Sequence, residues 1–110
     1  MRKIHFSKEY KKKILKGEKK ATIRLGKRKF KVGETVEIIV GDEKIGEARI
    51  TNVFYTTLDE IGKEEVRRDG FTKKSKLEKA LKKHYPKIKR SSTLTVIEFE
   101  MIKGGSQTEA

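Results

Sequence analysis

Four residues between positions 17 and 24 bring three kinds of polar group into a short stretch: Gly17, Lys19, Thr22 and Arg24. If residues 21–25 are extended, the side chains of Thr22 and Arg24 project to the same side, because side chains alternate along a strand. Lys19, in the turn just before, can reach over that side. An arginine fork can hold a phosphate or a nucleobase edge, and a lysine adds a mobile charge. The spacing therefore predicts a polar cleft for an anionic ligand. Two simpler interpretations remain open: Thr22 as an ordinary strand residue, and the cations as complements to a helix C-terminus.

Charge is distributed in blocks along the 110 residues, which carry a formal net charge of +13. Residues 1–31 have a net charge of +12 and residues 66–90 have +9, while residues 32–65 between them have −6. If the fold joins the two basic blocks, they form a surface that binds phosphates; otherwise they are a solvated surface. The clusters 27–29 and 82–83 are the densest parts of these blocks, and we assign Lys20, Lys27, Arg28 and Lys29 to contacts with ligand phosphates.

Composition excludes several classes of protein. The length suits one domain, and the absence of cysteine excludes disulfides, iron–sulfur clusters and thiol nucleophiles. His5 and His84 are far apart, so we expect no metal and no cofactor. With no run of about 18 apolar residues and no apolar core in the first residues, the sequence predicts a cytoplasmic protein outside the membrane. We also expect a monomer, and from the scarcity of Asn and Gln a thermophilic source.

Hydrophobic periodicity predicts the elements that position these residues. A helix is expected over 7–16, with Ser7 as its N-cap and Gly17 as its stop. Further helices are expected over 59–68, capped by Asp59, and from 72 or 75 to 85, where Pro86 ends the last one. Strands are predicted over 21–25, 35–40, 44–55 and 93–102.

The long strand 44–55 has an inward-facing set of residues and an irregularity. Ala48, Ile50, Asn52 and Phe54 are expected to face inward, and Gly46 marks a bulge because Ile45 is out of phase. The order α-β-β-β-α-α-β, with short turns between strands, predicts an α+β fold: an antiparallel sheet or small barrel with helices at its rim. Residues 104–110 are expected to form a disordered tail.

The sequence resembles the ASCH domain family. The resemblance rests on Gly17-x-Lys19-x-x-Thr22-x-Arg24 after a helix and before the strand entry Val32-Gly33-x-x-Val36. It continues in Asp69-Gly70-Phe71, Tyr85-Pro86 and the strand 96–99, and covers about residues 4–102. It implies a small PUA-like β-barrel over residues 1–103, a cleft lined by the first motif, and an RNA or nucleotide ligand.

The resemblance also implies possible activities. One branch of the family is similar to small amidohydrolases that remove the acyl group of acetylcytidine. By position, Thr22 would then be the nucleophile, Lys19 the base and Asp69 the acidic partner, with Glu64 and Glu65 as weaker candidates for the acidic role. A threonine hydroxyl becomes an effective nucleophile only when a base takes its proton, and Lys19 could be that base if burial or the nearby charges of Lys20 and Arg24 lowered its pKa from about 10.4 toward neutrality. Arg24 or a backbone N–H at the Gly17 turn could stabilise an oxyanion. Other ASCH proteins are linked to RNA cleavage. The resemblance therefore leaves the choice between binding and hydrolysis open.

Overall fold

The β-prone segments of the sequence form one five-stranded sheet in the computed structural model, which describes residues 1–102. The predicted tail, residues 104–110, lies outside the described residues. The strands are β1 Lys3–Phe6, β2 Ala21–Leu25, β3 Thr35–Val40, β4 Glu43–Thr57 and β5 Thr93–Ile102. Their order in the sheet is β1-β3-β4-β5-β2. The sheet curls into a half-barrel with helices packed beside it, so the predicted α+β fold is confirmed.

Strand β1 was not among the predicted strands, and it changes the sheet. It pairs in parallel with β3, with Ile4 opposite Ile38, whereas every other pairing among the described strands is antiparallel. Its four residues alternate strictly, because Ile4 and Phe6 are buried while Lys3 and His5 are exposed. That alternation is a strand signal, but four residues among many lysines did not distinguish it from the basic segment around it.

Two β-bulges bend β4. Ile45 is the extra residue of the first bulge, since Ile38 pairs with Gly46 and Ile39 with Lys44; the bulge predicted at Gly46 is confirmed. A second bulge follows at Thr51, because Ile50 pairs with Phe99 and the next pair joins positions 52 and 98. An extra residue reverses which side chains face inward.

The second bulge corrects the inward-facing set predicted for β4. Ala48 and Ile50 lie in the core as expected, but Asn52 is exposed, and Phe54 packs against the opposite face of the sheet.

The helices are shorter than the sequence predicted. A 3₁₀ turn at Lys8–Tyr10 precedes α1, Lys11–Leu15, and Ser7 makes no capping bond. Helix α2 spans Lys63–Arg68, so Asp59 does not cap it; that side chain pairs with Arg90 instead. Helix α3 spans Lys74–His84 and ends before Pro86 as expected.

Apolar residues form two cores on opposite faces of the sheet. One fills the concave face, and the other lies beneath α2 and α3, where Leu77 and Leu81 are buried. Strand β5 contributes to both, because Val96 faces the helices while Ile97 and Phe99 face the concave side. The helices are thereby fixed against the edge formed by β2.

Candidate functional site

The half-barrel does not close between its two edge strands, β1 and β2, and a cleft opens at this gap. The Arg24 guanidinium on β2 donates a hydrogen bond of 2.7 Å to the carbonyl of His5 on β1 and so bridges the gap. Helix α3 closes the cleft on its outer side. The cleft has a volume of about 440 Å³, and its lining includes Lys19, Thr22, Arg24, Asp69, Phe6, Tyr10, Phe71, His84 and Tyr85.

The turn after α1 directs Lys19 into this cleft. Gly17 adopts φ +77°, a left-handed conformation that ends the helix. The backbone N–H of Lys19 then donates to the carbonyl of Lys13 at 3.1 Å, and that of Lys20 to the carbonyl of Arg68 at 2.6 Å. Held between α1 and α2, Lys19 is only 4% exposed although lysine is rarely buried.

Lys19 is buried because α2 ends beside it. The Lys19 Nζ donates to both the side chain and the carbonyl of Asp69, the latter at 2.9 Å, and Asp69 is 5% exposed. Lys13 Nζ donates to the next carbonyl, that of Gly70, at 2.7 Å. The last carbonyls of a helix have no partner within the helix, and cations are favoured near them. Two lysines thus complete the end of α2, and one of them forms a buried ion pair.

Three aromatic rings surround the buried ammonium. Lys19 Nζ lies 4.8 Å from the ring centroid of Tyr10, 5.6 Å from that of Phe6 and 6.0 Å from that of Phe71. These distances suit cation–π attraction, which is stronger when the cation is removed from water. The rings therefore compensate part of the cost of burying Lys19 and also provide apolar walls for a ligand.

Burial moves the pKa values of Lys19 and Asp69 toward each other. It lowers the pKa of Lys19, and the charges of Arg24 and Lys13 act in the same direction, whereas Asp69 opposes them. Burial likewise raises the pKa of Asp69, against the attraction of Lys19. A lysine with a lowered pKa is a better candidate for accepting a proton at neutral pH.

Thr22 and Arg24 act on each other inside the cleft. Arg24 Nε donates to Thr22 Oγ1 at 2.9 Å, and Thr22 is 5% exposed. Since the oxygen accepts a bond from a cation, its own proton is directed elsewhere, and the alkoxide form is favoured relative to a free threonine. Burial lowers the pKa of Arg24, although arginine stays charged.

Among residues 1–102, Arg24 pairs with no carboxylate. Its hydrogen-bond partners are the Thr22 hydroxyl and the His5 carbonyl, and none of the ion pairs among residues 1–102 includes it. The Asp69 carboxylate pairs with Lys19 instead. The guanidinium keeps donors to spare beside the cleft.

The other residues assigned to the site from the sequence lie outside the cleft lining. Gly17 and Lys20 border a separate depression with Arg67 and Arg68. Lys27, Arg28 and Lys29 are exposed in the loop after β2.

The weaker candidates for the acidic role do not face the cleft. Glu64 binds Arg67 and Arg68, and Glu65 caps the start of α2 at the N–H of Gly62. Asp69 alone of the three carboxylates lines the cleft.

Sequence reasoning missed the contribution of β1 and the aromatic walls. His5 supplies the carbonyl that holds Arg24, and Phe6 and Tyr10 supply two of the rings beside Lys19. The period-two pattern of residues 3–6 was the signal that could have found His5 and Phe6. Phe71 and Tyr85 belong to the motifs that carry the family resemblance, but no pattern in the sequence places them in the cleft wall.

Among residues 1–102, no three His, Asp or Glu side chains are grouped so that they could hold a metal ion. Over the same range, none of the helices has the length and apolar character needed to cross a bilayer.

Comparisons with known proteins agree on the fold. A family model described as the ASCH domain matches residues 2–103. The ASCH domain from Lactobacillus crispatus JV V101 is 20% identical over 82% of this chain and 68% of its own, with a TM-score of 0.69. ASCH from Zymomonas mobilis is 14% identical over 92% of this chain and 69% of its own, with a TM-score of 0.68.

A third structure extends the same comparison. Protein EF3133 from Enterococcus faecalis V583 is 15% identical over 93% of this chain and 80% of its own, with a TM-score of 0.73. At these identities the likeness concerns the fold. No curated protein matches the sequence.

Proposed function

Because this chain belongs to the ASCH domain family, we propose that its cleft binds a nucleotide, either free or as one unit of an RNA strand. Arg24 is the observation that carries the proposal. Arg24 is half-buried, yet its hydrogen-bond partners among the described residues, Thr22 Oγ1 and the His5 carbonyl, are neutral. A cation removed from water is costly without an anion, and arginine binds phosphate through two parallel hydrogen bonds. A ligand phosphate supplies the missing charge.

The remainder of the cleft suits a base. A volume of about 440 Å³ lies within the range of small-ligand sites. Phe71 and Tyr85 lie among its walls, and the Phe71 ring centroid is 6.0 Å from the ammonium of Lys19. Single-stranded RNA is commonly recognised by stacking unpaired bases on aromatic side chains.

Calorimetric titration of the full chain with uridine 5′-monophosphate and with uridine tests this proposal. The nucleotide should bind more tightly than the nucleoside, and Arg24→Gln should abolish that difference. Arg49→Gln is the matched control, since Arg49 is exposed on β4 and outside the cleft. Equal binding of the two ligands by the native chain, or an unchanged preference in Arg24→Gln, would contradict the proposal.

A second candidate is hydrolysis of acetylcytidine, favoured by the lowered pKa of Lys19 and the bond from Arg24 to Thr22. Neutral Lys19 would take the Thr22 proton as Oγ attacks the acetyl carbon. Collapse of the tetrahedral intermediate would break the C–N bond, and the cytidine amine would leave with the proton from Lys19. Water would then hydrolyse the acyl-threonine to acetate. Asp69 would position Lys19.

Chromatography after incubation with acetylcytidine distinguishes this candidate from simple binding. Release of cytidine should disappear in Thr22→Val and persist in Thr22→Ser, which keeps the hydroxyl. Thr51→Val is the control, because Thr51 is exposed outside the cleft. No turnover by the native chain rejects the hydrolase and leaves the nucleotide-binding proposal standing. Shortening of labelled RNA in a parallel incubation would identify a ribonuclease instead.

A further inference from the structure

Tyr55 is an exposed aromatic residue that the cleft does not use. Large hydrophobic residues that are exposed in residues 1–102 are Met1, Leu15, Val32 and Tyr55, and Tyr55 is the only aromatic one among them. Its 49% exposure occurs near the end of β4, on a rigid sheet and not at a chain end. An aromatic ring held in this way can accept a stacked base at little cost in conformational freedom.

The basic loop beside Tyr55 is fixed by hydrogen bonds to the sheet. Thr95, fully buried on β5, donates through Oγ1 to the carbonyl of Gly26 at 2.6 Å and accepts from the Arg28 N–H at 2.8 Å. The Tyr55 hydroxyl contacts the Arg28 carbonyl at 3.4 Å. These contacts place the backbone of the loop against the ring.

Three exposed cations lie on this loop: Lys27, Arg28 and Lys29. None of them takes part in the ion pairs found across the described part of the chain. Lys27 Nζ lies 5.5 Å from the centroid of the Tyr55 ring, within reach of the phosphate of a base stacked there. Unpaired cations beside an exposed ring match the combination that binds single-stranded nucleic acid.

The ring lies in line with the cleft. Arg24 pairs with Thr95 across β2 and β5, and Thr95 pairs with Tyr55 across β5 and β4. Paired residues on neighbouring strands point to the same face, and two strand spacings put Arg24 and Tyr55 about 10 Å apart at their Cα atoms. Arg28 is close enough to Arg24 to contribute to its lowered pKa. The cationic surface is thus continuous from the cleft to Tyr55.

We propose that Tyr55 and the loop Lys27–Lys29 form a second nucleotide subsite beside the cleft. A base stacks on Tyr55, its phosphate meets Lys27 or Arg28, and the neighbouring nucleotide enters the cleft at Arg24. The ligand is then a single-stranded oligonucleotide and not an isolated nucleoside. This inference rests on the proposed nucleotide-binding function.

The test compares the binding of uridine 5′-monophosphate and of a fluorescent uridine hexanucleotide to the full chain at fixed salt. Tyr55→Leu should weaken hexanucleotide binding about 5- to 150-fold, the range expected for loss of one stacked base. It should leave mononucleotide binding unchanged, because Tyr55 does not line the cleft. Tyr55→Phe keeps the ring and should bind the hexanucleotide like the native chain.

The outcomes separate this inference from the function on which it rests. If Tyr55→Leu binds the hexanucleotide as tightly as the native chain while Arg24→Gln weakens both ligands, the second subsite is rejected and the cleft proposal stands. If Tyr55→Leu weakens both ligands equally, Tyr55 acts on the fold and the subsite is again rejected. If the native chain binds neither ligand, both proposals fail.

Discussion

Replacement of Lys19 by methionine leaves Asp69 as an unpaired carboxylate in the floor of the cleft. Lys19 is 4% and Asp69 5% exposed, so water cannot replace the lost partner. Breaking a buried pair by removing one member costs about 3–5 kcal/mol. The loss of stability has an upper limit, because the Asp69 carboxyl can bind a proton instead of staying charged. From its ordinary pKa of 3.8, protonation at pH 7 costs about 4 kcal/mol.

Because protonation of Asp69 limits the loss, the penalty of Lys19→Met depends on pH in a definite direction. Burial raises the pKa of Asp69, and without Lys19 the opposing attraction is gone. A carboxyl with a raised pKa binds more protons in the folded chain than in the unfolded chain. Its contribution to the stability of the fold is therefore fully present below the unfolded pKa of 3.8 and is lost as pH rises. The penalty of Lys19→Met should therefore be about 3–4 kcal/mol at pH 7 and below about 2 kcal/mol at pH 5.

Asp69→Asn is the mirror-image control. It leaves the Lys19 ammonium unpaired, and burial lowers the pKa of that group below its ordinary 10.5. The unfolded chain then binds more protons, so the stability of this variant should rise as pH increases from 7 toward 10. Both variants are destabilised at neutral pH, but one recovers in acid and the other in alkali.

Urea unfolding followed by circular dichroism at pH 5, 7 and 9 gives the three free energies of unfolding for each chain. At this length each kcal/mol corresponds to about 4 °C in Tm, so a thermal scan should show Lys19→Met melting some 12–16 °C below the native chain at pH 7. The reasoning is refuted if the penalty of Lys19→Met is the same at pH 5 and 7, or if the two variants shift in the same direction.

Three further results are expected. Gly17→Ala should lower the free energy of unfolding by about 1 kcal/mol, measured as a lower Tm, because φ is +77° although no atom lies within 4 Å of an added Cβ. Gly17→Asn should cost less, and equal stability of the two variants would contradict this. Changing residues 27–29 together to Gln should reduce the slope of log K against log salt for RNA by about 2, and an unchanged slope would place the phosphates elsewhere. Arg2 holds the pKa of Glu34 at about 2. The stability that this pair contributes above pH 4.5 is therefore lost as pH falls toward 2. Arg2→Ala should lack this pH dependence in thermal scans between pH 2 and 5, and an unchanged acid profile would show that the pair does not contribute.

Local patterns predicted most of the strands and the ends of two helices. The alternation at Val36, Ile38 and Val40 and the stop signals at Gly17 and Pro86 depend on neighbours in the chain, so they can be read without a fold. The position of α2 was predicted less well, because Asp59 is a good capping residue by type but its partner, Arg90, is 31 residues away. The extra residue at Thr51 also escaped prediction, since a bulge is defined by the opposite strand.

The candidate site shows the same division. The spacing of Lys19, Thr22 and Arg24 was sufficient to predict that their side chains share one side, because that depends on the turn and on the two-residue repeat of a strand. The resemblance to ASCH domains pointed to Asp69 as an acidic partner. The contact between Asp69 and Lys19 spans 50 residues, and no local rule specifies which carboxylate an ammonium will meet.

By itself, the sequence determined the excess of cations, the α+β pattern and the turn that aims Lys19 across β2, because these follow from composition and from short-range sterics. The tertiary structure decided which strands became the open edges, that α2 ends against Lys19, and that Arg24 spans the gap to β1 without pairing with any carboxylate of residues 1–102. Those features depend on how two cores pack on opposite faces of one curled sheet, and packing between distant segments leaves no period in the chain.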